Sequence, residues 1–209
     1  METLTKRFVI VGAGPGNEIY LTEAARQAIS SARVLAGARR FIDEFAPDGA
    51  MRVPFEGPIE AWLDHLDECP DAPIVVPVSG DPGVSSIAKR LLERFGREQC
   101  RVIPGISSVQ MACAALGIPW ENAAIISAHA AIPGQLRNDL EQRDPWVILL
   151  GAKGGEAFAA QLAARTDRRV YCLEDLSLTS ERVGAISAEE LTQLPAHPRR
   201  IIVLTRELS

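Results

Sequence analysis

Short apolar runs recur along this chain, and several end in glycine or serine just before a segment with helical periodicity. Residues 8–11 lead into GAGPG at 12–16, and residues 74–78 lead into SGDPG at 79–83. A run that is apolar at nearly every position is typical of a parallel strand buried on both faces. The pattern therefore predicts an α/β fold whose strand ends carry small residues.

The first half of the sequence predicts strands and helices in alternation. Its strands are predicted near residues 8–11, 33–36, 51–55, 74–78 and 101–103. Its helices are predicted near residues 21–31, 38–45, 58–69, 87–95 and 107–116. The 58–69 segment shows the 3-4 spacing of a helix with one buried face, carried by Ile59, Trp62, Leu63 and Leu66.

The pattern restarts after a helix break at residues 117–120 (GIPW), so we expect domains at 1–117 and 118–209. The second domain is predicted to contain strands at 123–127, 145–150, 169–173, 182–186 and 201–205. Helices are expected at 135–142, at 157–165 and after an N-cap at Ser187. The link between 169–173 and 182–186 suits an antiparallel pair better than a crossover, which predicts a mixed sheet.

Charge and composition exclude several classes of function. The formal net charge of −5 and the lack of Lys/Arg runs argue against a nucleic acid partner. The four cysteines have no Cys-x-x-Cys spacing, which predicts reduced thiols rather than a metal site or disulfides. No apolar run reaches the roughly 18 residues of a membrane span, and the first is too short for a signal peptide. We expect a cytoplasmic protein without a membrane partner.

The first glycine-rich loop is only partly like a dinucleotide-binding fingerprint. Asn17 stands where that fingerprint requires its third glycine. The next strand, near residues 33–36, ends without the acidic residue that would bind a ribose. Both differences count against a nucleotide-binding oxidoreductase, which is kept as the alternative hypothesis.

Three loops in a fixed order carry a family resemblance. GAGPG at 12–16, SGDPG at 79–83 and PGISS at 104–108 together resemble the tetrapyrrole methylases, a family of S-adenosylmethionine-dependent methyltransferases. Residues 104–110 (PGISSVQ), 116–120 (LGIPW) and 127–129 (SAH) are similar to the branch that methylates C5 of corrin precursors. The resemblance implies two α/β domains with the ligand cleft between them, in a homodimer. It also implies cobalt-precorrin-7, or its metal-free counterpart, as a substrate in cobalamin biosynthesis.

The resemblance assigns ligands to these loops. It implies that the methyl donor, S-adenosylmethionine, is bound by Gly80, Asp81, Pro82, Gly83, Val84, Ser107, Ser108, Leu150, Gly151 and Ala152. The donor carries an amino acid, a ribose and an adenine, so its pocket needs hydrogen-bonding backbone more than titrating side chains. The macrocycle is expected against Gly12, Gly14, Pro15 and Gly16, where the lack of bulky side chains leaves room for a flat ligand.

Methyl transfer to an electron-rich carbon requires no protein nucleophile and no protein-bound metal, since positioning supplies much of the rate. A proton must also leave the macrocycle, and its acceptor is unassigned. His129 is the catalytic candidate because imidazole titrates near neutrality; a hydrogen-bonded loop histidine is the alternative. The branch usually has Gly-Arg after this histidine, whereas Ala130 and Ala131 follow here.

The substrate's carboxylates require local arginines in an acidic protein, and Arg39 and Arg40 are candidates. A solvated helix face is the alternative interpretation of this pair. The sequence does not identify which arginines bind the substrate.

Other substrates of the family are alternatives: uroporphyrinogen, diphthine or ribosomal RNA. The acidic charge disfavours RNA, and residues 106–120 favour a corrin. Some relatives carry a second module that methylates C15 and removes carbon dioxide, for which 209 residues leave no room. We therefore expect the C5 step alone, with a separate C15-methyltransferase/decarboxylase in the same pathway. The sequence leaves open whether the substrate contains cobalt.

Overall fold

A computed structural model describes residues 6–69 and 73–206 of the chain. The chain divides into two compact units, Met1–Ser107 and Ser108–Ser209, each with a five-stranded sheet. This division falls earlier than the predicted boundary at 117, because the helix Ser108–Leu116 packs against the last strand of the second unit. Within the described ranges, no helix combines the length and apolar composition needed to cross a lipid bilayer.

The first unit alternates strands and helices, as predicted. Its strands are β1 (Phe8–Gly12), β2 (Val34–Gly37), β3 (Met51–Pro54), β4 (Ile74–Val78) and β5 (Cys100–Ile103). Its helices are α1 (Glu23–Ser30), α2 (Arg39–Phe45), α3 (Ile59–Glu68) and α4 (Ala88–Phe95). All neighbouring strands are parallel, in the order β3-β2-β4-β1-β5. The predicted elements of this unit are confirmed, with small shifts at their ends.

The two faces of the first sheet are covered by different helices. Helices α1 and α2 pack on the face formed by Val9, Val11, Leu35 and Val75. Helices α3 and α4 pack on the opposite face, formed by Phe8, Ile10, Val34 and Val76. The connections that leave the neighbouring strands β1 and β4 thus run on opposite faces. Such a switch point leaves a crevice at the carboxyl ends of the two strands, where open α/β sheets bind ligands.

The second unit has a mixed sheet, as predicted. Its strands are β6 (Ala124–Ala128), β7 (Trp146–Leu150), β8 (Arg169–Glu174), β9 (Arg182–Ile186) and β10 (Arg200–Thr205). Its helices are α5 (Ser108–Leu116), α6 (Gly155–Ala163) and α7 (Ala188–Gln193). The strand order is β6-β7-β10-β8-β9, in which β6 and β7 are parallel and the other pairs antiparallel. The β8–β9 pair and the Ser187 cap of α7 are confirmed.

The helix predicted at residues 135–142 is wrong, because this segment contains only a short 3-10 turn, Leu140–Gln142. Asp139 accepts hydrogen bonds from Arg137 and Arg143, and these bonds hold the pKa of its carboxyl well below its usual range. The indole of Trp146 donates to the carbonyl oxygen of Leu140, 2.9 Å away. Side-chain bonds of this kind compete with helical backbone bonding.

A buried guanidinium holds the beginning of β7. The side chain of Arg168 is fully buried, and its guanidinium carbon lies 3.9 Å from the centre of the Trp146 ring. Its Nε donates to Asp144 over 3.0 Å, and its Nη2 donates to the carbonyl oxygen of Arg143 over 2.9 Å. This network fixes the strand whose other end carries the predicted Gly151 loop.

We expect Arg168→Met to lower the free energy of unfolding by about 3 kcal/mol, since it leaves the partly buried carboxylate of Asp144 without its guanidinium partner. Arg94→Met is the matched control, because Arg94 pairs with Asp64 at the surface and loss of such a pair costs about 0–1 kcal/mol. Urea unfolding of both variants measures the difference. Equal losses would contradict the anchoring role of Arg168.

Candidate functional site

The three small-residue loops of the first unit lie at one edge of its sheet. They follow β4, β1 and β5, which are consecutive neighbours in the strand order. Because these strands are parallel, their carboxyl ends meet at the same edge. The structure thus brings together residues 12–16, 79–83 and 104–107, which are separated along the sequence.

Three glycines of these loops approach one another through their backbones. A Cβ atom added to Gly12 would lie 2.5 Å from the nitrogen of Gly105 and 2.8 Å from the oxygen of Gly80. A Cβ atom added to Gly105 would lie 2.4 Å from the same oxygen. Contacts this short leave no space for a side chain, so the approach requires glycine at Gly12 and Gly105. Gly80 has a φ of 65°, which glycine adopts without steric cost.

Backbone hydrogen bonds join the first loop to the second. The nitrogen of Gly80 donates to the oxygen of Gly14 over 2.8 Å, and the nitrogen of Gly14 donates back over 3.3 Å. The nitrogen of Ala13 donates to the oxygen of Val78 over 2.8 Å. These bonds extend the pairing of β1 and β4 beyond the strands themselves.

The carboxylate of Asp81 joins the second loop to the third. Its Oδ1 accepts from the nitrogen of Gly83 over 2.7 Å, and its Oδ2 accepts from the nitrogen of Gly105 over 3.0 Å. The sequence suggested Asp81 only as a ligand contact. In the structure, both carboxylate oxygens already accept hydrogen bonds from backbone nitrogens, so this side chain fixes the relative position of the two loops.

The remaining predicted residues of these loops differ in their exposure. Gly16 and Gly83 are exposed, Pro15 and Val84 are half-buried, and Pro82 is buried. Ser107 is buried at the end of the first unit. Ser108 is half-buried and begins α5 in the second unit. The exposed residues Gly16, Ser79 and Gly83 therefore offer the most accessible surface of the first two loops.

The two candidate arginines behave differently. Arg39 forms an ion pair with Glu56, and both side chains are exposed. Arg40 donates to the hydroxyl of Ser79, the residue that directly follows β4, and its guanidinium lies 4.6 Å from the Phe41 ring centre. Arg40 therefore lies at the second loop, whereas Arg39 is engaged by a neighbouring carboxylate.

In the second unit, His129 and Gly151 follow the parallel neighbours β6 and β7. A Cβ atom added to Gly151 would lie 2.5 Å from Nδ1 of His129 and 2.7 Å from its backbone oxygen. Nδ1 of His129 lies 3.0 Å from the carbonyl oxygen of Leu150. The structure thus brings together the catalytic candidate and the second-unit part of the predicted donor site.

The three residues predicted to line the donor at this end of β7 contribute in different ways. The Leu150 side chain is buried in the core of the second unit. The nitrogen of Ala152 donates to the oxygen of Ala128 over 2.9 Å. Gly151 is exposed. The surface available to a ligand here is therefore the backbone at Gly151 together with the half-buried Ala152.

These loops offer backbone carbonyls and hydroxyls with little steric bulk, whereas the nitrogens of Gly80, Gly83 and Val84 already donate within the second loop or to the first. That set of groups fits the amino acid and ribose parts of a nucleoside-like methyl donor. In dinucleotide-binding sheets the strand corresponding to β1 lies beside β2, whereas β4 separates the two here. The fold and its loops define a two-sheet α/β protein whose strand ends have room for small organic ligands and whose strand order differs from that of the dinucleotide-binding class.

Comparison with known proteins identifies the family. Residues 7–192 match the model of the Tetrapyrrole (Corrin/Porphyrin) Methylases, and the chain belongs to this family. A cobalt-precorrin-7 C(5)-methyltransferase of Salmonella typhimurium is 35% identical over 178 residues, covering 83% of this chain and 87% of that protein. The predicted enzyme class, a methyltransferase, is confirmed.

Solved structures share the fold. The methyltransferase CobJ matches with a TM-score of 0.80 at 20% identity, covering 97% of this chain and 95% of that chain. The uroporphyrin-III C-methyl transferase from Thermus thermophilus, complexed with S-adenyl homocysteine, matches with a TM-score of 0.73 at 23% identity, covering 95% and 92%. The predicted α/β fold with a mixed second sheet is confirmed.

Sequence reasoning located the loops but missed how they are connected. It did not identify the two backbone bonds to Asp81, the contact of Arg40 with Ser79 or the bond from His129 to Leu150. A partial signal existed, because glycine closely follows three strands of the first unit. The order of those strands was the missing information.

We expect Gly105→Ala to destabilise the protein by about 1–3 kcal/mol, because the new methyl group would overlap the oxygen of Gly80. Gly134→Ala is the control, since a Cβ atom there meets nothing within 4 Å. Thermal or urea unfolding distinguishes the two variants. A Gly105→Ala protein as stable as Gly134→Ala would show that the loops separate at no cost.

Proposed function

We propose that this protein is an S-adenosylmethionine-dependent methyltransferase that acts at C5 of cobalt-precorrin-7, or of the metal-free precorrin, in cobalamin biosynthesis. The observation that carries this substrate is the 35% identity to the Salmonella cobalt-precorrin-7 C(5)-methyltransferase, which extends over 83% of the chain. The corrin-like segments at 104–110 and 116–120 support the same branch.

In this proposal, backbone groups of Gly80, Pro82, Gly83 and Val84 bind the methyl donor, and Asp81 positions them. Ser107, Ser108, Gly151 and Ala152 complete the donor-binding residues, and Leu150 contributes through its backbone. The donor supplies an electrophilic methyl group. The role of the protein is to hold the acceptor carbon and that methyl group at a reactive distance and angle, which lowers the entropic part of the barrier.

The loop at Gly12, Gly14, Pro15 and Gly16 is proposed to contact the macrocycle. Arg40 is the arginine favoured for a substrate carboxylate, because it lies at the second loop and its hydrogen bond to Ser79 orients the guanidinium. Arg39 is less suited to this role because Glu56 already neutralises it. Hydrogen bonds between a guanidinium and a carboxylate are stronger than those between neutral groups, and their geometry orients the bound carboxylate.

The proposal also includes a cytoplasmic homodimer that catalyses the C5 step without a protein-bound metal. A separate methyltransferase/decarboxylase would then act at C15 of the same macrocycle. Uroporphyrinogen, diphthine and ribosomal RNA are the alternative substrates within the family, and the net charge of −5 disfavours RNA. An oxidoreductase is disfavoured by the absent third glycine at Asn17 and by the strand order of the first sheet.

We expect Asp81→Asn to weaken the binding of S-adenosylhomocysteine about tenfold, since the amide can accept from only one of the two backbone nitrogens. Isothermal titration calorimetry measures the change in Kd. Asp64→Asn is the matched control, because Asp64 pairs with Arg94 on the surface between α3 and α4. Equal affinities of the Asp81 and Asp64 variants would remove the second loop from the donor site.

Incubation of the purified protein with S-adenosylmethionine and cobalt-precorrin-7 should add one methyl group, which mass spectrometry detects as a gain of about 14 Da. Parallel reactions with metal-free precorrin and with uroporphyrinogen test the substrate assignment. Concurrent loss of carbon dioxide would contradict a C5-only activity. Methylation of uroporphyrinogen in preference to either precorrin would replace the proposed substrate.

A further inference from the structure

The hydrogen bond of His129 determines which ring nitrogen carries a proton. Its Nδ1 lies 3.0 Å from the carbonyl oxygen of Leu150. A carbonyl oxygen only accepts hydrogen bonds, so Nδ1 must donate. The neutral imidazole therefore carries its hydrogen on Nδ1 and its basic lone pair on Nε2.

The surroundings of His129 leave this lone pair available. His129 is exposed, and the ring edge bearing Nδ1 lies against the backbone of Gly151, where a Cβ atom would be 2.5 Å from Nδ1. The bond to Leu150 and the contact with Gly151 fix the ring from one side. Nε2 lies on the other side of the ring, away from the Leu150 carbonyl oxygen.

The other histidines are less suited to accept a proton at a strand end. The nitrogen of Arg199 donates to Nδ1 of His197 over 3.3 Å, and Nε2 of His197 lies 3.7 Å from Asp175. Both ring nitrogens of His197 are therefore engaged. His65 lies on the exposed surface of α3, within a helix rather than at a strand end. Among the three histidines, His129 alone combines a fixed ring with a position beside predicted donor-binding residues.

We propose that Nε2 of His129 accepts the proton released when the macrocycle is methylated; this inference rests on the proposed function. The π electrons of the acceptor carbon form the new carbon–methyl bond, and the electrons of the sulfur–methyl bond leave with sulfur as a neutral thioether. The positive charge passes to the macrocycle, which then loses a proton. Nε2 takes this proton, and the resulting imidazolium releases it to water.

Substitution of His129 by asparagine separates the chemical role from the structural one. The asparagine amide preserves an N–H donor for the Leu150 carbonyl but has no basic nitrogen in place of Nε2. We expect His129→Asn to lower kcat about 100-fold or more, with the Kd for S-adenosylhomocysteine unchanged. Imidazole added to the buffer should restore part of the rate of this variant. His65→Asn is the matched control and should retain the wild-type kcat.

The protonation state is measured without turnover. In ¹⁵N-edited NMR spectra of the free protein, the neutral form of His129 should carry its hydrogen on Nδ1, and only three histidines need to be assigned. A neutral ring with its hydrogen on Nε2 would overturn the proposal, because that nitrogen could then accept no proton. A His129→Asn enzyme with a wild-type kcat would overturn it as well.

The two proposals fail in different ways. If the wild-type protein transfers no methyl group to any of the tested macrocycles, both the proposed function and the role of His129 as a base are contradicted. An active wild type with an equally active His129→Asn variant would remove the role of His129 alone. A rise in KM without a fall in kcat would assign His129 to substrate binding instead and would likewise overturn its role as a base.

Discussion

The architecture of the first unit depends on the contact of three backbones at the ends of β1, β4 and β5. Gly12, Gly80 and Gly105 come so close that a methyl group at Gly12 or Gly105 would overlap backbone atoms. Tight interiors resist added volume, so this contact sets the distance between the loops with little tolerance. The hydrogen bonds of Asp81 then fix the third loop against the second. The positions of the three loops are thus set by contacts and hydrogen bonds within the protein itself.

The sequence predicted most strands and helices because apolar runs and helical periodicity report burial directly. It failed at 135–142, where hydrogen bonds to Asp139 and from Trp146 override the local pattern. It assigned residues 107–116 to the first domain, whereas α5 packs with the second unit, because a break after a helix does not reveal which sheet that helix covers.

The loops of the candidate site were visible as sequence motifs, and their likeness to a known family indicated which ligands to expect there. Their mutual contacts depend on strand order, which neither periodicity nor composition contains. Asp81 illustrates the difference. As a residue in a motif it suggested a ligand contact, whereas its two backbone partners became visible only in three dimensions. The same holds for His129, whose bond to the Leu150 carbonyl oxygen indicates that Nδ1 carries the hydrogen and that Nε2 is the basic nitrogen.

The close approach of Gly151 to His129 also constrains how this strand end can vary among related sequences. A side chain at Gly151 and the imidazole of His129 would occupy the same volume. A relative with a larger residue at the position of Gly151 must therefore have a different residue, or a displaced chain, at the position of His129. The two positions are expected to change together, so glycine after β7 marks the members of the family in which an imidazole held in this way is possible.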